Sequence, residues 1–179
     1  MAVPLARNSC AGWSAWLFAA VLCLGTVVPA AAQAEWRRHV DGRLGLSVDV
    51  PARGFVRADP EAGNDGLRLV SADGSGEIAV YSVPLPSMSF AAFRRQLTDG
   101  ARARGTRITY IAGGKSWFVF SGHWDGQIVY YKVLLKQVCG VPMAHQFHLR
   151  YPRDQKRAYD AVIERMDDTL RGVAGTTCG

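Results

Sequence analysis

Hydrophobic and polar residues alternate along several stretches between residues 36 and 83. The clearest case is residues 44–50, in which leucine and valine at the even positions are separated by glycine, serine and aspartate. Alternation with a period of two is typical of a β-strand that buries one face. Four similar stretches, bounded by turn-forming residues, predict further strands at residues 36–40, 55–59, 67–71 and 77–83.

Two later segments repeat their hydrophobic residues with the period of an α-helix instead. The first follows Ser89, a residue type that caps helices, and ends near Gly105. The second covers residues 153–171 and ends before Gly172. The apolar positions are Phe90, Phe93, Leu97 and Ala101 in the first helix, and Tyr159, Val162, Ile163, Met166 and Leu170 in the second. Each set forms one stripe, which predicts that both helices pack on a sheet.

The segment between the two helices is the richest in β-forming residues. It predicts four strands at residues 107–112, 116–123, 127–138 and 143–151, joined by short turns. Short connections make antiparallel neighbours. The fold class is therefore α+β: a twisted antiparallel β-sheet with two amphipathic helices packed on it, in one domain over residues 35–179. In the strand 116–123, Trp117 and Val119 share one face and Phe118 and Phe120 the other, which predicts burial on both sides.

The first 34 residues have the three zones of a cleavable signal peptide. A short start carries Arg7 and no acid, an apolar stretch runs over residues 13–28 to Pro29, and small residues follow at positions 30–34. Cleavage is expected after Ala34, with Ala32 as the neighbouring choice, so the mature protein would begin at Glu35. After cleavage the protein is expected in the periplasm or outside the cell. The alternative is an uncleaved membrane anchor, which usually needs about 20 strongly apolar residues.

Removal of that segment changes the cysteine count and leaves the chain mildly basic. Cys10 and Cys23 leave with the signal peptide, and the remaining pair, Cys139 and Cys178, predicts one disulfide in an oxidising compartment. The formal net charge of +6 loses only Arg7. An excess of positive charge favours anionic partners such as headgroups, wall polymers or acidic proteins. Nucleic acid is disfavoured by the compartment, and no transmembrane span is expected after cleavage.

A cluster of arginines is the strongest sequence indication of a partner surface. Five of them fall within fourteen residues along the first helix and its end: Arg94, Arg95, Arg102, Arg104 and Arg107. They predict either a surface for an anionic partner or an ordinary solvated helix face.

The residues that carry chemistry do not form a catalytic or metal-binding motif. Ser121, His123 and Asp125 alternate on one strand, but same-face neighbours stand about 7 Å apart, too far for a serine–imidazole hydrogen bond. His145 and His148 are three apart, so a strand points them to opposite faces and away from a shared metal ion. The acidic stretch of Asp59, Glu61, Asn64, Asp65, Asp73 and Glu77 lacks the spacing of a calcium loop. No catalytic residue, cofactor or metal is predicted.

Most of the mature chain carries a particular pattern of strands and turns: GLSVDVP at residues 45–51, NDG at residues 64–66, and above all ITYIAGGKSWFVFSG at residues 108–122. This pattern resembles a group of small exported bacterial proteins, mainly proteobacterial, that have no assigned activity. The order of elements is also similar to the PsbP-like fold, whose members mostly bind or assist other proteins. The resemblance implies the fold and supplies no catalytic residue, since fold alone does not fix function.

Two functions from different classes follow from these observations. The leading one is an exported, periplasmic, non-enzymatic binding or accessory protein. The alternative is a small cell-envelope hydrolase whose site forms only in three dimensions. The sequence leaves the ligand or partner and the oligomeric state open.

Overall fold

The computed structural model describes residues 35–59 and 66–173. The predicted signal peptide, residues 60–65 of the acidic stretch and Cys178 lie outside these residues. The described part contains β1 (Trp36–Asp41), β2 (Leu46–Pro51), β3 (Phe55–Ala58), β4 (Leu67–Ser71), β5 (Glu77–Pro84), α1 (Phe90–Ala103), β6 (Arg107–Gly113), β7 (Trp117–Trp124), β8 (Gln127–Val138), β9 (Val141–Pro152), a 3-10 turn (Arg153–Gln155), α2 (Lys156–Thr169) and β10 (Arg171–Gly172).

The strands form two antiparallel sheets. The larger has seven strands in the order β3-β4-β5-β9-β8-β7-β6, and the smaller has three in the order β1-β2-β10. The prediction of antiparallel strands with two helices is confirmed. The division into two sheets is an addition, because β2 leaves its sheet at Pro51 and the chain turns through Gly54, which has a positive φ of 77°.

One face of the seven-stranded sheet packs against the small sheet and α2. This core contains Val48 and Val50 from β2, Phe147 and Leu149 from β9, and Met166 from α2, all buried. The inner side chains of α2 continue it, and Tyr159 stacks on Tyr151 with ring centroids 4.3 Å apart. Here α2 follows the predicted apolar stripe.

The second helix is shorter than its apolar stripe predicts. Its first residues form the 3-10 turn, and the helix stops at Thr169 because Leu170 adopts an extended conformation and is buried. Arg171 and Gly172 then pair with Ser47 and Leu46 of β2 as the third strand of the small sheet.

Part of the opposite face of the large sheet is covered by α1. Ser89 caps this helix by accepting a hydrogen bond from the Ala92 amide at 3.2 Å, as predicted. Phe93 packs against Phe118 of β7, beside the buried Phe120 and Val133. Within the described ranges, neither α-helix is long and apolar enough to cross a membrane.

The strand β7 separates its two apolar faces as predicted. Phe118 and Phe120 are fully buried under α1, and Val119 is buried on the other side. Trp117 is 38% exposed, because β7 is next to the edge strand β6 and the cover of the sheet ends there.

Candidate functional site

A cleft of about 450 Å³ opens between the C-terminal half of α1 and the large sheet. It exists because the fourteen residues of α1 cover only part of a seven-stranded face. The cleft is lined by Glu77, Tyr81, Leu97, Ala101, Arg104, Thr106, Trp124, Val129, Tyr131, His148 and Arg150. Small-molecule sites usually measure roughly 300–1,000 Å³, so this cleft is at the lower end of that range.

A row of aromatic rings crosses the sheet at the cleft. Tyr131 of β8 stacks on Phe120 of β7 at 4.6 Å and on His148 of β9 at 4.8 Å, with interplanar angles of 12° and 25°. Tyr81 of β5 meets His148 edge-on, with centroids 6.0 Å apart. The strand register explains the row, because Phe120 lies opposite Tyr131 and Tyr131 lies opposite His148. Side chains directly opposite each other on one face are in contact.

A carboxylate held by two arginines forms one wall. Glu77 Oε1 accepts from Arg68 Nε at 3.0 Å, and its Oε2 accepts from Arg68 Nη2 at 3.2 Å and from Arg150 Nη2 at 3.1 Å. Burial alone would raise the pKa of Glu77, but the hydrogen bond and charge of Arg68 and the charge of Arg150 hold it below its ordinary value. The carboxylate therefore stays ionised, and both of its oxygens are occupied.

The end of α1 contributes a further positive charge. Arg104 caps the helix, and its carbonyl oxygen accepts a hydrogen bond from Trp124 Nε1 at 3.0 Å. The guanidinium of Arg150 lies 5.2 Å from the centre of the Trp124 ring. Trp124 thus ties the end of the helix to the edge of the cleft. Arg104 makes no ion pair with any side chain in the described ranges. The lining has two arginines, Arg104 and Arg150, against the one carboxylate of Glu77, so it carries more positive than negative charge.

His148 is the titratable group at the centre of the cleft. Burial lowers its pKa to about 4; the charge of Glu77 opposes this, and the charges of Arg150, Arg68 and Arg104 add to it. The ring is therefore neutral at pH 7. Its Nδ1 is buried and has no hydrogen-bond partner among the residues that the structure describes.

The five arginines that the sequence singled out lie in different environments. Arg95 and Arg102 are exposed on the outer side of α1, where Arg102 pairs with Asp99 at 2.9 Å. Arg94 lies over the Phe118 ring at 5.8 Å, and Arg104 lines the cleft. Arg107 pairs with His123 in the register of β6 and β7, which places it on the sheet face away from α1. Only Arg104 contributes to the cleft.

The other residues considered from the sequence do not converge. Ser121 and His123 share a face of β7, and Asp125 lies in the following turn with a positive φ of 46°. No hydrogen bond joins these three in the part of the chain that the structure describes. Asp73 and Glu77 are engaged by other residues: Ser71 and Ser75 hold Asp73, and arginines hold Glu77. Among residues 35–59 and 66–173, no group of three or more His, Cys, Asp or Glu side chains could hold a metal ion.

His145 has a partner that the sequence analysis missed. Its Nδ1 shares a hydrogen bond of 2.7 Å with Ser82 Oγ of β5, on the face of β9 opposite His148. Burial lowers the pKa of His145 to about 4. The imidazole is fully buried and its Nε2 has no partner among the described residues, so a substrate would not reach it. The pair joins two strands inside the core.

The cleft itself was also missed, because its residues come from distant parts of the chain. Glu77 and Arg150 are 73 positions apart. A usable signal was present nonetheless: apolar strands interrupted on one face by Glu77, Tyr81, Tyr131, His148 and Arg150. Such polar residues on a strand that is otherwise buried require partners.

No family model matches this chain, and no curated protein matches it. Solved structures do match. CyanoP, the cyanobacterial PsbP from Synechocystis sp. PCC 6803, has a TM-score of 0.58 and 12% identity over 83% of this chain and 98% of that one. LpqN of Mycobacterium tuberculosis, described as involved in cell envelope biogenesis, has a TM-score of 0.53 and 14% identity over 76% of this chain and 89% of that one. The Ran-binding protein Mog1p of Saccharomyces cerevisiae has a TM-score of 0.51 and 13% identity over 79% of this chain and 97% of that one.

These matches define the fold of the protein. It is a PsbP-like α+β fold of antiparallel sheets with two helices, as the resemblance in the sequence implied. At identities of 12–14% the likeness concerns the fold and not the function.

Proposed function

We propose that this chain is exported and acts outside the cytoplasm as a non-enzymatic binding or accessory protein, which holds its ligand or partner in the cleft beside α1. The observation that carries the proposal is the cleft itself. It is open and half apolar, and its polar groups are positioned by their own contacts: Glu77 by two arginines and His148 by its stack on Tyr131. A concave surface with a few fixed polar groups and a perturbed pKa is typical of a binding site.

The structural neighbours support the same class of function. Mog1p is described as a Ran-binding protein, and LpqN as involved in cell envelope biogenesis. A place in the envelope agrees with the signal peptide expected at residues 1–34, and binding agrees with the open cleft. A hydrolase has less support, because the Ser82–His145 hydrogen bond is closed off in the core, on the other side of the sheet from the cleft.

The test begins with the full chain, carrying an affinity tag at its C-terminus and produced in a bacterium with a periplasm. We expect the protein in the periplasmic fraction, with an N-terminus at Glu35 or at Gln33. Native mass spectrometry of the purified protein should then detect a bound species. Recovery of the uncleaved chain in the cytoplasmic fraction would contradict export, whereas the uncleaved chain in the membrane fraction would indicate the membrane anchor in place of cleavage.

Charge reversals on α1 distinguish the cleft from the outer face of the helix. Arg104→Glu changes the cleft, whereas the matched variant Arg95→Glu changes an exposed arginine on the outer side of the same helix. We expect loss of the bound species with the first variant and its retention with the second. Loss with Arg95→Glu alone would move the binding surface to the outer face of α1, and retention with both would contradict a role for the cleft.

A further inference from the structure

The charged groups that line the cleft are mostly positive. Glu77 is the only carboxylate among the lining residues, and its two oxygens are taken by Arg68 and Arg150. Arg104 has no ion pair within the described part of the chain. With one carboxylate against the guanidinium groups of Arg104 and Arg150 in the lining, and with Arg68 also holding that carboxylate, a ligand that brings a negative charge is favoured over a neutral or cationic one.

The tautomer of His148 follows from its surroundings and adds a further donor. A neutral imidazole has one N–H and one acceptor nitrogen. Because the buried Nδ1 has no partner in the described residues, and a buried N–H without a partner is rarer than an unsatisfied acceptor, we place the proton on Nε2. The His148 ring lines the cleft, so this N–H is available to an acceptor on a ligand.

The aromatic row determines what else a ligand would meet. Both faces of the Tyr131 ring are covered, one by Phe120 and the other by His148. A ligand therefore contacts the ring edges, which carry the positive side of the ring quadrupole and attract the negative face of another aromatic ring. Leu97, Ala101 and Val129 complete the apolar part of the lining.

We propose that the cleft binds a small aromatic carboxylate, with its carboxylate toward Arg104 and His148 and its ring against the edges of the aromatic row. A planar carboxylate suits a guanidinium, which donates two parallel hydrogen bonds to it. This inference rests on the proposed function, because it names the ligand class of the same cleft.

The experiment compares three probes that differ in one property each. Naphthoate has both the aromatic ring system and the charge, naphthamide has the ring system without the charge, and decahydronaphthoate has the charge and the same carbon skeleton without aromaticity. Each is titrated into the processed wild-type protein at pH 7 and followed by amide chemical shifts. We expect naphthoate to bind most tightly, with the largest shifts at Tyr131, His148 and the end of α1.

Two variants and a control test the donors. Arg104→Gln should weaken naphthoate binding about tenfold or more, the usual effect of losing a hydrogen bond to a charged group. His148→Phe keeps a ring against Tyr131 and removes the N–H, so it should weaken naphthoate more than naphthamide, because a hydrogen bond to a charged acceptor is stronger than one to an amide carbonyl. Arg95→Gln, on the outer side of α1, should bind naphthoate as the wild type does.

The outcomes separate this inference from the proposed function. Equal affinity for naphthoate and naphthamide at the same residues would overturn the aromatic acid while keeping the cleft as a binding site. Decahydronaphthoate binding as tightly as naphthoate would overturn the aromatic part. If no probe shifts the cleft residues, the inference is wrong, and the proposed function is decided by the bound species and the Arg104→Glu variant.

Discussion

His145 and His148 lie on the same strand, β9, but their side chains are on opposite faces of the large sheet. His145 shares its hydrogen bond with Ser82 in the core beneath α2 and the small sheet, whereas His148 stacks on Tyr131 in the cleft beside α1. Burial is the largest cause that lowers the pKa of each, to about 4 in both cases. An unfolded histidine has a pKa of about 6.5. The unfolded chain therefore binds more protons than the folded chain between these two values.

This difference predicts a loss of stability on mild acidification. Since the folded pKa values are depressed and the neutral forms are the folded forms, stability is complete above pH 6.5 and falls as the pH drops toward 4. Each histidine contributes a slope of up to about 1.4 kcal/mol per pH unit. Urea unfolding at pH 7, 6 and 5 measures the slope. In His148→Phe the slope between pH 6 and pH 5 should be smaller than that of the wild type, because His145 and His39, whose pKa is also lowered by burial, keep their contributions.

The carboxylates serve as an internal control for this measurement. The pKa values of Asp49 and Glu77 are held below their ordinary values, by Arg38 in the first case and, against the effect of burial, by Arg68 and Arg150 in the second. Their contributions are present above about pH 4 and are lost only below it. A stability that does not change between pH 7 and pH 5 would therefore contradict the burial of the histidines specifically.

Alternation along the sequence was sufficient to place these histidines on opposite faces, and it did not identify their neighbours. Ser82 and His145 are 63 positions apart, and they meet only because β5 pairs with β9. A period of two fixes the face of a side chain within its own strand, whereas the neighbouring strand is fixed by the whole topology.

The pairing of β6 with β7 depends on the lack of a side chain at Gly122. A Cβ at this position would meet the Arg107 carbonyl oxygen and would lie 2.8 Å from Ile108 Cα. Gly122 lies opposite Ile108, just before the irregularity in the register of this pair. The edge strand β6 thus approaches β7 more closely here than a side chain would allow.

We expect Gly122→Ala to destabilise the domain by about 1–3 kcal/mol, the usual cost of forcing extra volume into a packed site. The urea midpoint of unfolding measures this. Gly42→Ala is the matched control, because nothing lies within 4 Å of the added Cβ and its φ is not in the left-handed region. The control should change stability by less than about 0.5 kcal/mol. Equal midpoints for the two variants would contradict the close approach.

Whole elements were easier to predict than their ends. Both helices and the nine longer strands follow from periodicity, because each buries a regular stripe or face. The strand β10 was missed, since two residues carry no period, and its formation depends on Leu170 turning into the core at the end of α2. All six residues of β2 are buried, although alternation predicted one exposed face, because Thr169 and the guanidinium groups of Arg38 and Arg165 cover Asp49.

At the scale of the whole molecule, the pair Cys139 and Cys178 remains a prediction. Cys139 is exposed in the turn after β8, and Cys178 lies outside the described residues. A bridge between them would close a loop of about 40 residues and stabilise the protein by about 4 kcal/mol in the chain-entropy model. The processed protein, denatured without reductant, should take up no iodoacetamide, as measured by intact mass. Addition of two carbamidomethyl groups would contradict the bridge.

The fold class was predictable from the sequence at this scale, whereas the cleft was not. The alternation of the strands and the apolar stripes of the helices predict an antiparallel sheet with both helices packed on it. The open part of the sheet face under α1 depends on how far this helix reaches across seven strands, and on side chains such as Tyr81 and Arg150 that become neighbours only after β5 and β9 have paired.

The position of β9 links binding in the cleft to the global stability of the domain. It is the fourth of seven strands and has one face in each core, so its backbone hydrogen bonds belong to the part of the domain that opens last. A molecule bound against His148 would rest on this strand, and its release would not require a local opening of the sheet. Its binding free energy would therefore add to the global free energy of unfolding as RT ln(1 + [L]/Kd). A rise in the melting temperature of the whole domain would then report occupancy, even before the bound molecule has been identified.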